Sequence, residues 1–201
     1  MRPFTIPAGT VAWLAAAGGI AYGIAFAADN AAAAALLLTV GAGLTVLIIS
    51  ALAASLEDTP QVRLAATIGM VGALASAAHG VYDLANRIHP PDVAVTGDLP
   101  NPVDPRGFAT FALVGLALVV LSYPLARSPR YGNGLANAGR ILGAISIVIF
   151  LGRLIILDPT NPVVRVALVA GVVANTVFLI RLARTWRASE AVATGELART
   201  G

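Results

Sequence analysis

Apolar residues fall in six long runs, separated by short clusters of charged residues, prolines and asparagines. The runs cover residues 6–28, 31–54, 62–87, 105–126, 134–157 and 162–183. A helix needs about 20 residues to cross a hydrocarbon core, and every run reaches that length. The separators are the punctuation of helix ends: Asp29-Asn30, Glu57-Asp58-Thr59-Pro60, the stretch 89–104, Arg127-Ser128-Pro129-Arg130 and Asp158-Pro159-Thr160-Asn161. Asp104 before Pro105 predicts an N-cap and first helical residue for the fourth helix, and Asn161 before Pro162 does so for the sixth. The pattern predicts an all-α fold, a polytopic integral membrane bundle of six transmembrane helices over residues 1–187. A short polar tail, residues 188–201, is expected to be disordered.

Composition sharpens this reading. Of the residues, 58% are hydrophobic and 11% charged, with mean hydropathy +0.83, whereas soluble domains carry about 25% charged residues. The absence of cysteine excludes disulfides, thiolate metal sites and cysteine nucleophiles. All thirteen basic residues are arginine, in a background rich in Ala, Gly and Val. That usage is typical of GC-rich bacterial or archaeal coding, so a bacterial inner (cytoplasmic) membrane is the expected location. The arginines are scattered between apolar runs, so a pI near 10.0 reflects membrane orientation, and nucleic acid is not an expected partner.

With the N-terminus inside, nine arginines lie on the inner side (Arg2, Arg63, Arg127, Arg130, Arg140, Arg181, Arg184, Arg187 and Arg199) and four outside (Arg87, Arg106, Arg153 and Arg165). The positive-inside rule then predicts both termini in the cytoplasm. Trp13, Tyr123, Tyr131 and Trp186 fall near the inner interface and Tyr22 and Tyr82 nearer the outer one, as amphipathic rings prefer. The first run also resembles a signal peptide, with Ala25-Phe26-Ala27 as a cleavage motif. A single preceding basic residue and the glycines at 18, 19 and 23 favour a retained helix.

Small residues recur every fourth position: Gly19 and Gly23; Ala65, Gly69, Ala73 and Ala77; Gly72, Ser76 and Gly80; Gly139 and Gly143; Ala167 and Gly171, continued by Asn175. Such rows let helix backbones approach closely where water provides no driving force. Helix three carries two of them and is expected to be the most enclosed.

The candidate chemistry lies at the end of that helix. Ser76, His79, Asp83, Asn86 and Arg87 are spaced by three or four residues and form one polar stripe about 16 Å long. A charge at membrane depth costs about 2.5–3.5 kcal/mol on insertion scales, so Asp83 requires a partner or a wet cavity. Its candidate partners are His79, Arg87, Arg153 and Arg165. Two readings are open: an ion-pair network that fixes helix order, or an outward-facing cavity in which Asp83 and His79 hold a proton or a polar headgroup while arginines hold an anionic portion. The stretch 89–104, with prolines at 90, 91, 100 and 102, suits a stiff lid or docking surface.

No cofactor is expected. His89 is ten residues beyond His79, too far for both to flank one haem iron, and His79 with Asp83 lacks the third ligand a metal site needs. No nucleophile elbow, phosphate loop or zinc-protease motif is present. Arg181, Arg184 and Arg187, around Trp186, are expected to meet anionic lipid headgroups. The leading expectation is a non-catalytic membrane protein, either an accessory subunit that binds a membrane protein partner or forms a homo-oligomer, or a bundle that binds a small molecule or lipid. The alternatives are a proton-coupled carrier using Asp83 and His79, and a quinone-linked redox enzyme.

Overall fold

Each of the six apolar runs is helical in the computed structural model, which describes residues 7–90, 108–156 and 161–200. The helices are α1 (Ala8–Ala27), α2 (Ala31–Ala54), α3 (Pro60–Ile88), α4 (Val114–Arg127), α5 (Gly132–Ile155) and α6 (Pro162–Thr200). All six are long and apolar enough to cross a membrane, α4 when counted from Thr110, and there is no strand among the described residues. This is the architecture of a multi-pass membrane protein.

Local chemistry sets the helix starts. The Asn30 side chain accepts the Ala33 N–H at 3.1 Å and caps α2. Thr59 does the same for Val62 at 3.2 Å, with Pro60 in the first turn. At α6, Asn161 accepts the Val163 N–H at 3.0 Å ahead of Pro162, as its sequence predicts. Asp29 closes the three-residue α1–α2 turn with φ +52°, a left-handed conformation that aspartate tolerates better than most residues.

Two segments depart from the apolar pattern. Residues Phe108–Leu113 form a π-helical turn that leads into α4, and Pro124 lies within α4; the expected cap at Asp104 and Pro105 lies outside the described residues. Helix α6 does not stop near 183 and give way to a disordered tail, but continues to Thr200. The extension is anchored by tertiary contact. Trp186 is only 2% exposed, and the Glu190 carboxylate accepts the Gly9 N–H at 3.3 Å, which satisfies an orphan donor at the start of α1.

The helices form a closed ring in chain order, each packed against its two sequence neighbours and α6 against α1. Neighbours run antiparallel: α1 meets α6 at Gly9 beside Ala183 and Arg187, and again at Gly23 beside Val172. One end of the ring, here the base, therefore carries the start of α1, the end of α6 and the α2–α3 and α4–α5 turns. The other end is the rim. The principal core lies in the base half, where Leu52, Val62, Leu121, Leu125, Tyr131, Phe178, Leu182 and Trp186 form one buried cluster. Toward the rim the buried positions are mostly small: Ala25, Ala34, Ala35, Ala42, Ser76, Gly80 and Ser146, with Ile149 and Val164 as larger members.

Small residues allow this close packing. A Cβ at Gly80 would meet the Ala35 carbonyl and the Thr39 N at 2.9 Å, so α2 and α3 touch backbone to backbone. Gly115 and Gly143 do the same for α4 and α5.

A polar latch crosses the base. Trp186 Nε1 donates to the Tyr131 hydroxyl at 2.8 Å, and that hydroxyl bonds Ser55 Oγ, so α6, the start of α5 and the end of α2 share one network. Tyr131→Phe leaves a buried indole N–H without its acceptor. It is expected to cost about 1–3 kcal/mol, read as a lower unfolding temperature of the detergent-solubilised protein.

Candidate functional site at the rim of α3

One face of α3 is apolar and exposed along its length, through Leu64, Val71, Leu74, Val81, Tyr82 and Ile88. At 100° per residue, the opposite face carries the buried Gly69, Ser76 and Gly80 and, nearest the rim, Asp83. His79 and Asn86 lie beside that face. The polar stripe is therefore turned away from the apolar outer surface.

Its central feature is an imidazole–carboxylate pair, His79 Nε2 to Asp83 Oδ2 at 3.1 Å. The i, i+4 spacing brings the two side chains into register on one helix. The His79 side chain is 17% exposed and that of Asp83 is 40% exposed. Asp83 lines a recess of about 280 Å³ together with Ala31, Asn86 and Arg87. Ala31 is the first residue of α2, where backbone N–H dipoles point outward. The Tyr22 ring of α1, stacked on Phe26, lies within electrostatic reach of Asp83.

The structure thus gathers His79, Asp83, Asn86 and Arg87 and brings the start of α2 beside them, with Tyr22 within electrostatic reach. Ser76 is buried and donates to the Gly72 carbonyl at 2.9 Å, so its hydroxyl bonds its own helix. Arg153 donates to the Ile156 carbonyl at 3.2 Å, and Arg165 is exposed in the first turn of α6. Among the described residues neither α5 nor α6 packs against α3. Arg106 and the proline-rich stretch from 91 to Asp104 lie outside the described residues.

Sequence spacing identified the stripe but missed Tyr22, which reads there only as an interfacial ring. Its electrostatic reach to Asp83 runs between helices that are not consecutive, and no periodicity within one helix carries that information. Among the described residues, no three His, Cys, Asp or Glu side chains form a group that could hold a metal ion.

Chemically, the recess offers a carboxylate, a carboxamide and a guanidinium within two helical turns. A carboxylate accepts from an ammonium or hydroxyl group, and a guanidinium binds a phosphate or carboxylate through paired N–H groups. Comparison of the chain with protein-family models, curated proteins and solved structures found no significant match. The site is therefore read from its own chemistry.

Proposed function

We propose that this chain is a non-catalytic binding protein of a bacterial inner membrane, with both termini in the cytoplasm and its site in the rim recess on the outer side. The ligand class is a small molecule or lipid headgroup that carries both a hydrogen-bond donor or cation and an anion. The observation that carries the reading is the grouping of the His79–Asp83 pair, Asn86 and Arg87 around one recess of about 280 Å³. Orientation is supported by the arginines: Arg63, Arg127, Arg130, Arg140, Arg181, Arg184 and Arg187 lie in the base half, and Arg87, Arg153 and Arg165 toward the rim.

The test pairs native mass spectrometry with a visible spectrum of the gently purified protein. The wild-type chain is expected to carry a defined extra mass. Asp83→Asn, which keeps the side-chain shape and removes the charge, is expected to lose that mass while retaining expression and unfolding temperature. Failure of this variant to fold would make the pair a structural one and overturn the binding reading.

The His79–Asp83 pair also favours a second reading, a proton-coupled carrier. The filled base half counts against it, because Leu52, Leu121, Leu125 and Leu182 occupy the core there and substrate sites of carriers lie near the midplane. A pH-dependent flux in proteoliposomes, abolished in Asp83→Asn, would establish the carrier instead.

A further inference from the structure

Arg140 is an arginine in a membrane-length helix with neutral partners only. It stands eight residues into α5, about 12 Å from the helix start at 1.5 Å per residue. Its Nε donates to Ser122 Oγ at 3.3 Å and its Nη1 to Asn137 Oδ1 at 3.0 Å. The guanidinium also lies over the Tyr123 ring, 5.3 Å from its centroid. Ser122 is fully buried and itself donates to the Val119 carbonyl, so the hydroxyl that orients the arginine is fixed.

Among the described residues no carboxylate pairs with Arg140, whereas Arg63 has Asp58 and His79 has Asp83. Two of the five guanidinium N–H groups are used by Ser122 and Asn137, and three are left to an external acceptor. The site opens on the outer surface of the bundle, where Tyr123 is 51% and Ile141 57% exposed. An unneutralised charge is expensive in hydrocarbon, and arginine relieves the cost by reaching toward the headgroups. The geometry fits that direction. Asn137 lies one turn nearer the base, and Tyr123 is four residues, about 6 Å, from the end of α4. Arg127, one turn further on the same face of α4, adds a second positive charge without a carboxylate partner among the described residues.

We propose that the α4–α5 groove at the base binds the phosphate of an anionic phospholipid, with Arg140 as the bidentate donor and Tyr123 as the platform beneath the guanidinium. The site is independent of the rim recess. A net negative headgroup is favoured because both arginines lack an acidic partner, and a zwitterionic lipid brings its own ammonium to the same place.

The test titrates the delipidated, detergent-solubilised full chain with phosphatidylglycerol and with phosphatidylcholine of matched acyl chains, read by native mass spectrometry. Wild type is expected to retain one phosphatidylglycerol preferentially. Arg140→Gln is expected to weaken that binding about tenfold, in line with the loss of a charge-assisted bidentate contact. Arg140→Lys is also expected to weaken it, because lysine keeps the charge without the planar fork. Arg63→Gln, which removes an exposed base-side charge already paired with Asp58, is expected to leave it unchanged.

Equal binding by Arg140→Gln overturns the proposal. So does an equal loss in Arg63→Gln, which would mean diffuse attraction to the whole base. Loss of a dimer or a co-purifying subunit in Arg140→Gln with lipid retention unchanged would assign the missing carboxylate to a protein partner. Should Arg140→Gln not fold, wild-type thermal unfolding decides: saturable stabilisation by phosphatidylglycerol alone supports the site, and equal stabilisation by phosphatidylcholine removes it.

Discussion

Valine in place of Gly143 is expected to destabilise the bundle by about 3 kcal/mol, near the top of the usual range for overpacking. A Cβ at this position would stand 2.6 Å from the Gly115 carbonyl oxygen and 3.0 Å from the Val119 N, both main-chain atoms of α4. A flexible side chain can move aside by a few tenths of an ångström. A helix backbone that is packed on both flanks cannot, so α4 and α5 must separate and give up contact along their length. Gly43→Val is the matched control, since a Cβ at Gly43 meets nothing within 4 Å. Thermal unfolding of both variants in the same detergent checks the claim, and similar unfolding temperatures would show that the α4–α5 contact is not a stability determinant.

Trp186→Ala is expected to cost about 3–5 kcal/mol, the range for removing a large aromatic from a packed core. Trp186 is 2% exposed and belongs to the base cluster together with Leu182, Leu125 and Tyr131. Truncation leaves a cavity and also strips the Tyr131 hydroxyl of its indole donor. Trp186→Phe retains much of the volume but not the N–H, so it is expected to fall between wild type and alanine. Combining Trp186→Ala with Tyr131→Phe should cost less than the sum of the two, because both remove the same hydrogen bond. Denaturant titration of the four proteins tests this, and strict additivity would argue that the latch contributes nothing.

Because membrane-length hydrophobicity and the caps at Asn30, Thr59 and Asn161 are local signals, the apolar runs locate all six helices, though Val114, the first residue of α4, lies well inside its run. The end of α6 was not legible. Hydropathy falls after Ala183, yet Trp186 and Glu190 dock on neighbouring helices and carry the helix onward. The π-helical turn before α4 left no signal in the apolar pattern, and its physical cause does not follow from the residues that form it.

For the candidate site, three- and four-residue spacing placed His79, Asp83, Asn86 and Arg87 on one stripe. It did not show that Ser76 would bond its own backbone, a competition every membrane serine faces. Nor did it show which helices would face the stripe. Helices that are apolar on all sides carry little information about rotation, so ring order, and with it the roles of Tyr22 and Ala31, required the packed bundle.

The concentration of large buried side chains at the base and of alanine, glycine and serine toward the rim gives the two ends different tolerance to mutation. A substitution among the base leucines disturbs an interlocked cluster, whereas an exposed rim position such as Val163, Val166 or Ile155 has few neighbours to displace. Selection can therefore retune the rim, where a ligand would sit, while the base preserves foldability. Relatives of this chain should be more alike at the base than at the rim.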